Sequence, residues 1–301
     1  MKKIAYFSVM CAAILWGILG IFIKKLYGFG FNPFQIVAIR ALGAFAALFL
    51  YLFISDRKLL RVQPRDMGYF VGTGILSFVF FNWCYFIAIQ YTTLSIASIL
   101  LYTAPAFVMV FSTILFKESL TPRKIISFAL TFIGCILVTG YFQQTGDGLS
   151  MIGVLAGLGS GLGYALYSIF GRYALKKYDS MTVTLYTFLF ASLGLVPVTD
   201  FQGMLPLFSG FEVLFLAISL SLFSTALPFI LYTKGLYHLE TSRASIIATL
   251  EPAVATMVSI FIFQEHITFF RMMGIVLVLA AIILVNERTS EEQNESLNLM
   301  D

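Results

Sequence analysis

Charge is scarce in this sequence. Of its 301 residues, 11% are Asp, Glu, Lys or Arg, about half the share usual in a water-soluble domain. Cysteine occurs three times and histidine twice. Cys11, Cys84 and Cys135 stand singly inside apolar runs, with no CxxC and no Cys/His cluster. That spacing excludes a disulfide framework and suggests no metal site. His238 and His266 lack the spacing of a zinc-protease pair, and no nucleophile–base pair or paired intramembrane carboxylate is visible. The basic residues are scattered among loops rather than gathered in a patch, which argues against a nucleic-acid partner. What is abundant is apolar: 59% of residues are hydrophobic, 32 of them Phe, and the mean hydropathy is +0.92. A soluble globule of this size could not hide so much apolar surface. The composition therefore specifies a polytopic membrane protein whose first partner is the lipid bilayer.

Charges and turn formers divide the chain into ten apolar segments, expected at 4–23, 33–54, 68–89, 95–116, 124–142, 151–171, 180–199, 212–233, 243–263 and 269–286. Runs of this length without alternation predict helices, which satisfy their own backbone in lipid. The fold class expected is all-α integral membrane, ten transmembrane helices arranged as two inverted five-helix repeats. Basic residues set the orientation. Fifteen of the nineteen fall on one side, including Arg57, Arg65, Lys117, Lys177 and Arg243, while Lys24, Lys25 and Arg271 fall on the other and Arg40 lies inside a span. This places both termini in the cytoplasm, makes the plasma or inner membrane the location, and sends 143–150 and 200–211 outward. The acidic stretch 287–301 is expected to be a disordered cytoplasmic tail.

The two halves echo each other at an offset of about 147. Ala97, Ser98, Ile99, Pro105 and Ala106 recur as Ala244, Ser245, Ile246, Pro252 and Ala253, and Phe116, Glu118 and Thr121 recur as Phe263, Glu265 and Thr268. Tyr85 matches Tyr232, and Trp16 matches Tyr164. The repeats are bounded at 1–142 and 150–286. Five spans in each turn the second half upside down, an arrangement that suits alternating access around a central site.

These residues resemble the EamA family of the drug/metabolite transporter superfamily. The likeness is carried by Leu15-Trp16-Gly17, Lys24, Arg40, Ala97-Ser98-Ile99 through Pro105, and Phe116-Lys117-Glu118. The second half contributes Ala244-Ser245, Leu250-Glu251-Pro252 and Phe263-Gln264-Glu265, so that the likeness covers 4–286. It implies ten helices and an exporter or importer of small organic solutes such as amino acids, nucleobases or drugs; a secondary transporter working as an exporter is the function expected here. The second half departs from the pattern, with Thr187 near the counterpart of Arg40 and Tyr164 in place of Trp16.

Candidate site residues follow from cost. Arg40 lies about 10 Å into its helix at 1.5 Å per residue, where an arginine must face protein or a water-filled cavity. It is read either as an anion contact or gate, or as a structural clamp. Glu251 is the one acidic residue deep in a span. It can meet an ammonium group, carry a proton and so couple transport to protons, or pair with a cation. Pro105 and Pro252 break related helices and free backbone carbonyls near the midplane. Trp16, Asn82, Trp83, Tyr85, Tyr102, Tyr164 and Tyr232, with Thr103, Tyr167, Thr225 and Thr249, are candidate lining of an aromatic, partly polar pocket. Glu118 and Glu265, at helix ends on opposite faces, are candidate gating groups. Gly153, Gly157 and Gly161, with Gly159 and Gly163, are expected to pack helices closely rather than to bind phosphate. No cofactor is implied. A membrane-embedded enzyme and a channel are the competing classes, but neither catalytic clusters nor filter loops are visible.

Overall fold

The computed structural model describes residues 2–139, 150–264 and 268–286, and among them the regular structure is entirely helical. Eight segments are long and apolar enough to cross a membrane. They are α1 (Lys2–Gly28), α2 (Pro33–Ser55), α3 (Pro64–Tyr91), α4 (Leu94–Phe116), α6 (Met151–Ala174), α7 (Ser180–Val198), α8 (Phe211–His238) and α9 (Thr241–Phe263). The two other expected segments are the 17-residue α5 (Pro122–Val138) and the 18-residue α10 (Phe269–Asn286), which lie along each other. The chain is thus an all-α membrane protein. Its expected outer loop at 143–150 and its expected tail lie almost wholly outside the described residues, as do Glu265 and His266. The 200–211 connection is not a plain loop, because it folds into two short helical turns, Phe201–Met204 and Leu205–Phe208, the first capped by Asp200.

Local chemistry explains most of the helix ends. Asn32 and Gln35 form a reciprocal capping box at the start of α2, with Pro33 in the first turn. Thr93, Thr121 and Asp179 cap α4, α5 and α7. Interruptions fall where the sequence marks them. Helix α4 breaks at Tyr102 and Thr103, just before Pro105, and α9 breaks at Thr249, before Pro252. Two further irregularities were not legible beforehand: a wide turn runs over Gly72–Val79 in α3 and over Leu222–Ala226 in α8.

The packing maps onto itself when the halves are exchanged. α1 packs on α8 as α6 packs on α3, and α1 packs on α9 as α6 packs on α4. α2 meets α7, and α5 meets α10. Lys117 and Gln264, 147 residues apart, are the two non-glycine residues with positive φ among the described residues, at 56° and 54°. The glycine series packs as expected. A Cβ on Gly157 would run into Leu100, one on Gly161 into the Thr103 hydroxyl, and one on Gly163 into Phe80 and Phe81. Helix α6 therefore lies directly against the break in α4.

Gly161→Val is expected to destabilise the protein by about 1–3 kcal/mol through overpacking. Gly20→Ala, which meets nothing within 4 Å, should be neutral or slightly stabilising. Thermal unfolding in detergent, followed by size-exclusion chromatography, compares the two.

Candidate functional site

Arg40 is buried, with 6% of its surface exposed, at the centre of the bundle. Two helices meet its guanidinium. On one side Nε donates to Thr225 Oγ1 at 3.2 Å, and on the other the group lies 5.6 Å from the centre of the Phe78 ring. Phe78 and Thr225 are 147 residues apart and occupy the wide turns of α3 and α8, respectively. A wide turn adds a residue to the coil and re-aims the side chains within it. Thr225 shows the effect: its hydroxyl proton goes to the Leu220 carbonyl five residues back, at 3.0 Å, which leaves an oxygen lone pair facing Arg40. Thr225 is the one hydrogen-bond partner of Arg40 among the described residues. The terminal nitrogens remain available to an incoming group.

Glu251 follows the break in α9 and lines a small void of about 10 Å³ with Tyr102, Tyr164 and Ser168. Its charge acts on Arg40, with no contact ion pair between the two. A second void of about 20 Å³ shares Tyr164 and Ser168 and is walled by Trp16, Phe78, Phe229 and Tyr232. Trp16 meets Phe229 edge-on with ring centroids 5.2 Å apart, and lies 5.5 Å from Tyr232 and 6.4 Å from Tyr164. Each void has room for about one water, far short of an organic solute.

A much larger cavity, about 390 Å³, opens from the other face of Tyr102. Ser95, Ser98, Thr139, Thr256, Ser259 and Arg271 give it a polar lining, and Pro252 brings it to within one residue of Glu251. It lies at the end of the bundle opposite the lysine-rich face. Tyr85 reaches it through Ser98, with the two oxygens 2.9 Å apart. The repeat mate of Tyr85, Tyr232, is instead bound to Ser168 at 2.7 Å.

At the lysine-rich face the corresponding place is shut. Glu118 Oε1 accepts from the Thr241 amide at 2.6 Å, and Oε2 accepts from the Ser242 amide at 3.1 Å and the Ser242 hydroxyl at 2.6 Å. One carboxylate thus satisfies the first amides of α9 and complements its dipole. Burial works against the charge of Glu118, but the bonds from Ser242 and Thr241 outweigh it and hold its carboxyl below the usual range. Around this latch, Lys124 Nζ lies 3.2 Å from Glu240 and donates to the Ser119 carbonyl at 2.7 Å. Arg243 Nε lies 2.6 Å from Glu240, and another of its nitrogens donates to the Tyr6 hydroxyl at 3.2 Å. At the 147-residue offset, Thr241 and Ser242 correspond to Leu94 and Ser95, which line the open cavity.

The candidate residues therefore divide. Glu251, Trp16, Tyr102, Tyr164 and Tyr232 line the central voids, Arg40 stands next to them against Phe78, Tyr85 stands beside the large cavity, and Pro105 and Pro252 line a void and that cavity, respectively. Trp83 does not join them. It is 47% exposed on the outer surface of α3, because its position on that helix turns it away from the neighbouring helices. Asn82 is buried, but its amide is spent on the Phe78 carbonyl at 2.7 Å, beside the wide turn. Phe78, Ser168 and the Lys124–Glu240–Arg243 group were not singled out as site residues from the sequence, and Ser98 and Ser245 were marked there only as a repeated pair. Phe78 could have been, by projecting Thr225 through the 147-residue offset.

Removing the latch should loosen the first turn of α9. In Glu118→Ala, amide exchange at Thr241 and Ser242 is expected to accelerate tenfold or more, since hydrogen bonds to a charged group contribute about 1.5–3 kcal/mol each. The Asp179-capped start of α7 should be unchanged. A depressed carboxyl stabilises closure above its ordinary value and loses that contribution as pH falls through the depressed one. Protection in the wild-type protein should thus stay constant from pH 8 down to the ordinary glutamate value and decline only below it. Hydrogen–deuterium exchange corrected for intrinsic rates reads both effects.

The EamA-like transporter family matches twice, over residues 3–140 and 151–287. An uncharacterized transporter of Archaeoglobus fulgidus is 28% identical over 92% of this chain and 94% of its own. One from Clostridium kluyveri is 25% identical over 98% and 96%, respectively. A solved crystal structure superimposes with a TM-score of 0.81 over 95% of this chain and 97% of its own, at 16% identity, and so shares the fold. The double match covers both halves and nearly every described residue, and the chain belongs to the EamA-like transporter family.

Proposed function

We propose that this membrane transporter is a secondary exporter of small organic solutes, working by alternating access between two inverted five-helix repeats. All ten helices are taken to span the plasma or inner membrane, with the lysine-rich face in the cytoplasm, as the distribution of basic residues favours. The observation that carries the reading is the unequal treatment of repeat-equivalent ends. Glu118 seals the cytoplasmic start of α9, while the matching start of α4 borders a cavity of about 390 Å³. The conformation is then outward-facing. Exchanging the roles of the halves would open the cytoplasmic side around the same centre.

Arg40 and Glu251 set the chemistry of that centre. The free terminal nitrogens of Arg40 suit a carboxylate or another compact anion. Glu251, beside Tyr164 in the same void, suits an ammonium group or a proton. A solute carrying both charges with an apolar body matches the pair and its aromatic walls, and amino acids are the simplest such class. The two central voids hold only water-sized space in this state, so they must widen when solute enters. Proton coupling through Glu251 is part of the same proposal.

The test is uptake into proteoliposomes against a panel of zwitterionic, anionic and cationic solutes. Arg40→Leu is expected to lower transport at least tenfold with normal protein yield, and Arg40→Lys to retain part of it. Glu251→Gln should flatten the pH dependence. Unchanged transport in Arg40→Leu would place the solute elsewhere, and an unchanged pH profile in Glu251→Gln would remove the proton from the cycle.

A further inference from the structure

A second large cavity, bordered by charged side chains, lies away from the proposed transport path. About 460 Å³ opens at the lysine-rich face between the turn that joins α6 to α7 and the last turn of α8. Lys176, Lys177, Lys234 and His238 border it, with Tyr237 and a single carboxylate, Asp179. The lysines are not equally committed. Lys177 is paired with Asp66 at 2.7 Å. Asp179 caps α7 by accepting from the Met181 amide at 2.8 Å. Arg172 already takes up the final carbonyls of α8, at Leu236, Tyr237 and Leu239, so Lys234 is not needed there. Lys176 rests 5.0 Å from the centre of the Tyr173 ring. Among the described residues neither Lys176 nor Lys234 has a carboxylate partner within 4.0 Å. Two unneutralised ammonium groups therefore share one concave pocket.

What lies below the pocket identifies its occupant. On α8, Leu227 and Leu231 precede Lys234 and His238 at helical spacing, and Phe223 comes before them within the wide turn. Phe223 and Leu227 are exposed, Leu231 is half-buried, and Lys234 and His238 are exposed. One face of α8 thus runs from apolar side chains within the bilayer to cations at its edge. A free phosphate would need the pocket alone, whereas a phospholipid would use the pocket and the stripe together. We propose that this pocket binds the phosphate of an anionic phospholipid headgroup, with the acyl chains lying along the Phe223–Leu227–Leu231 face of α8. Basic pockets between transmembrane helices at the headgroup level have the charge such lipids require. Tyr237, exposed beside His238 with the rings 4.8 Å apart, supplies an interfacial aromatic at the same depth.

The experiment uses the purified full-length protein in a neutral detergent. Thermal unfolding is measured with added phosphatidylglycerol, phosphatidylcholine or inorganic phosphate, and retained lipid is counted by native mass spectrometry. Phosphatidylglycerol is expected to raise Tm and to stay bound, because a ligand of the folded state stabilises by mass action. Phosphatidylcholine and inorganic phosphate should do neither. In the double variant Lys176→Gln/Lys234→Gln the lipid should bind tenfold or more weakly. A control, Lys58→Gln/Arg61→Gln, removes two cations from the same face outside the pocket and should behave as wild type. Equal phosphatidylglycerol binding in the Lys176/Lys234 variant would overturn the proposal. So would an equal loss in the control, which would mark diffuse attraction, or a full effect of inorganic phosphate, which would mark a small-anion site.

Discussion

A guanidinium buried in the middle of a lipid-embedded helix bundle is the constraint on which the arrangement depends. Its desolvation is costly, and the protein meets it with two side chains from opposite repeats rather than with a contact carboxylate. Thr225 and Phe78 stand at the same register in the two halves, each inside a wide turn, and they present a lone pair and a ring face to Arg40. A carboxylate in direct contact would neutralise the arginine and leave little for a solute. Glu251 lines a void with Tyr164 and acts on Arg40 without a contact ion pair, which leaves the cation partly unsatisfied. That residual demand is what an anionic solute group would meet.

The same two-fold logic extends to the ends of the bundle, where it is deliberately incomplete. Glu118 closes the start of α9, and Lys124, Glu240, Arg243 and Tyr6 surround it with ion pairs and hydrogen bonds. At the equivalent positions of α4, Thr93 replaces Glu240 and Ile96 replaces Arg243. Among the described residues, the closure at the lysine-rich end is thus held by charge, and the opposite end has fewer charged groups to draw upon. In the proposed cycle this difference favours the outward-facing state at rest, and opening toward the cytoplasm must overcome the ion-pair cluster.

How much of this could be read in advance depended on whether chain-local chemistry decided it. Helix positions followed from apolar run length, and the breaks in α4 and α9 from Pro105 and Pro252. The glycine series on α6 spoke through spacing alone, and each glycine tested does sit against a neighbouring helix. The burial of Arg40 followed from the cost of leaving it in lipid. Its partners did not, because wide turns have no simple signature in sequence, and without them Thr225 and Phe78 would point elsewhere. Trp83 and Asn82 show the same limit. Both carry hydrogen-bonding groups on one span, and only packing reveals that one is exposed on the outer surface and the other bonds its own helix. The Glu118 latch joins residues 123 positions apart, and sequence alone could mark Glu118 as a gate candidate without naming what it holds.

Alternating access around Arg40 is tested most directly by reciprocal accessibility at two repeat-equivalent serines. Ser98 lines the large cavity and Ser245 lines the void near Glu251. Each is replaced by cysteine in a background lacking Cys11, Cys84 and Cys135, and labelled by impermeant thiol reagents from either side of oriented proteoliposomes. Ser98→Cys should react rapidly from outside at rest and Ser245→Cys slowly from the cytoplasmic side. Saturating solute, or Glu118→Ala, should slow the first and quicken the second. Rates that rise or fall together would contradict the exchange of roles between the halves, as would labelling of both positions from the same side.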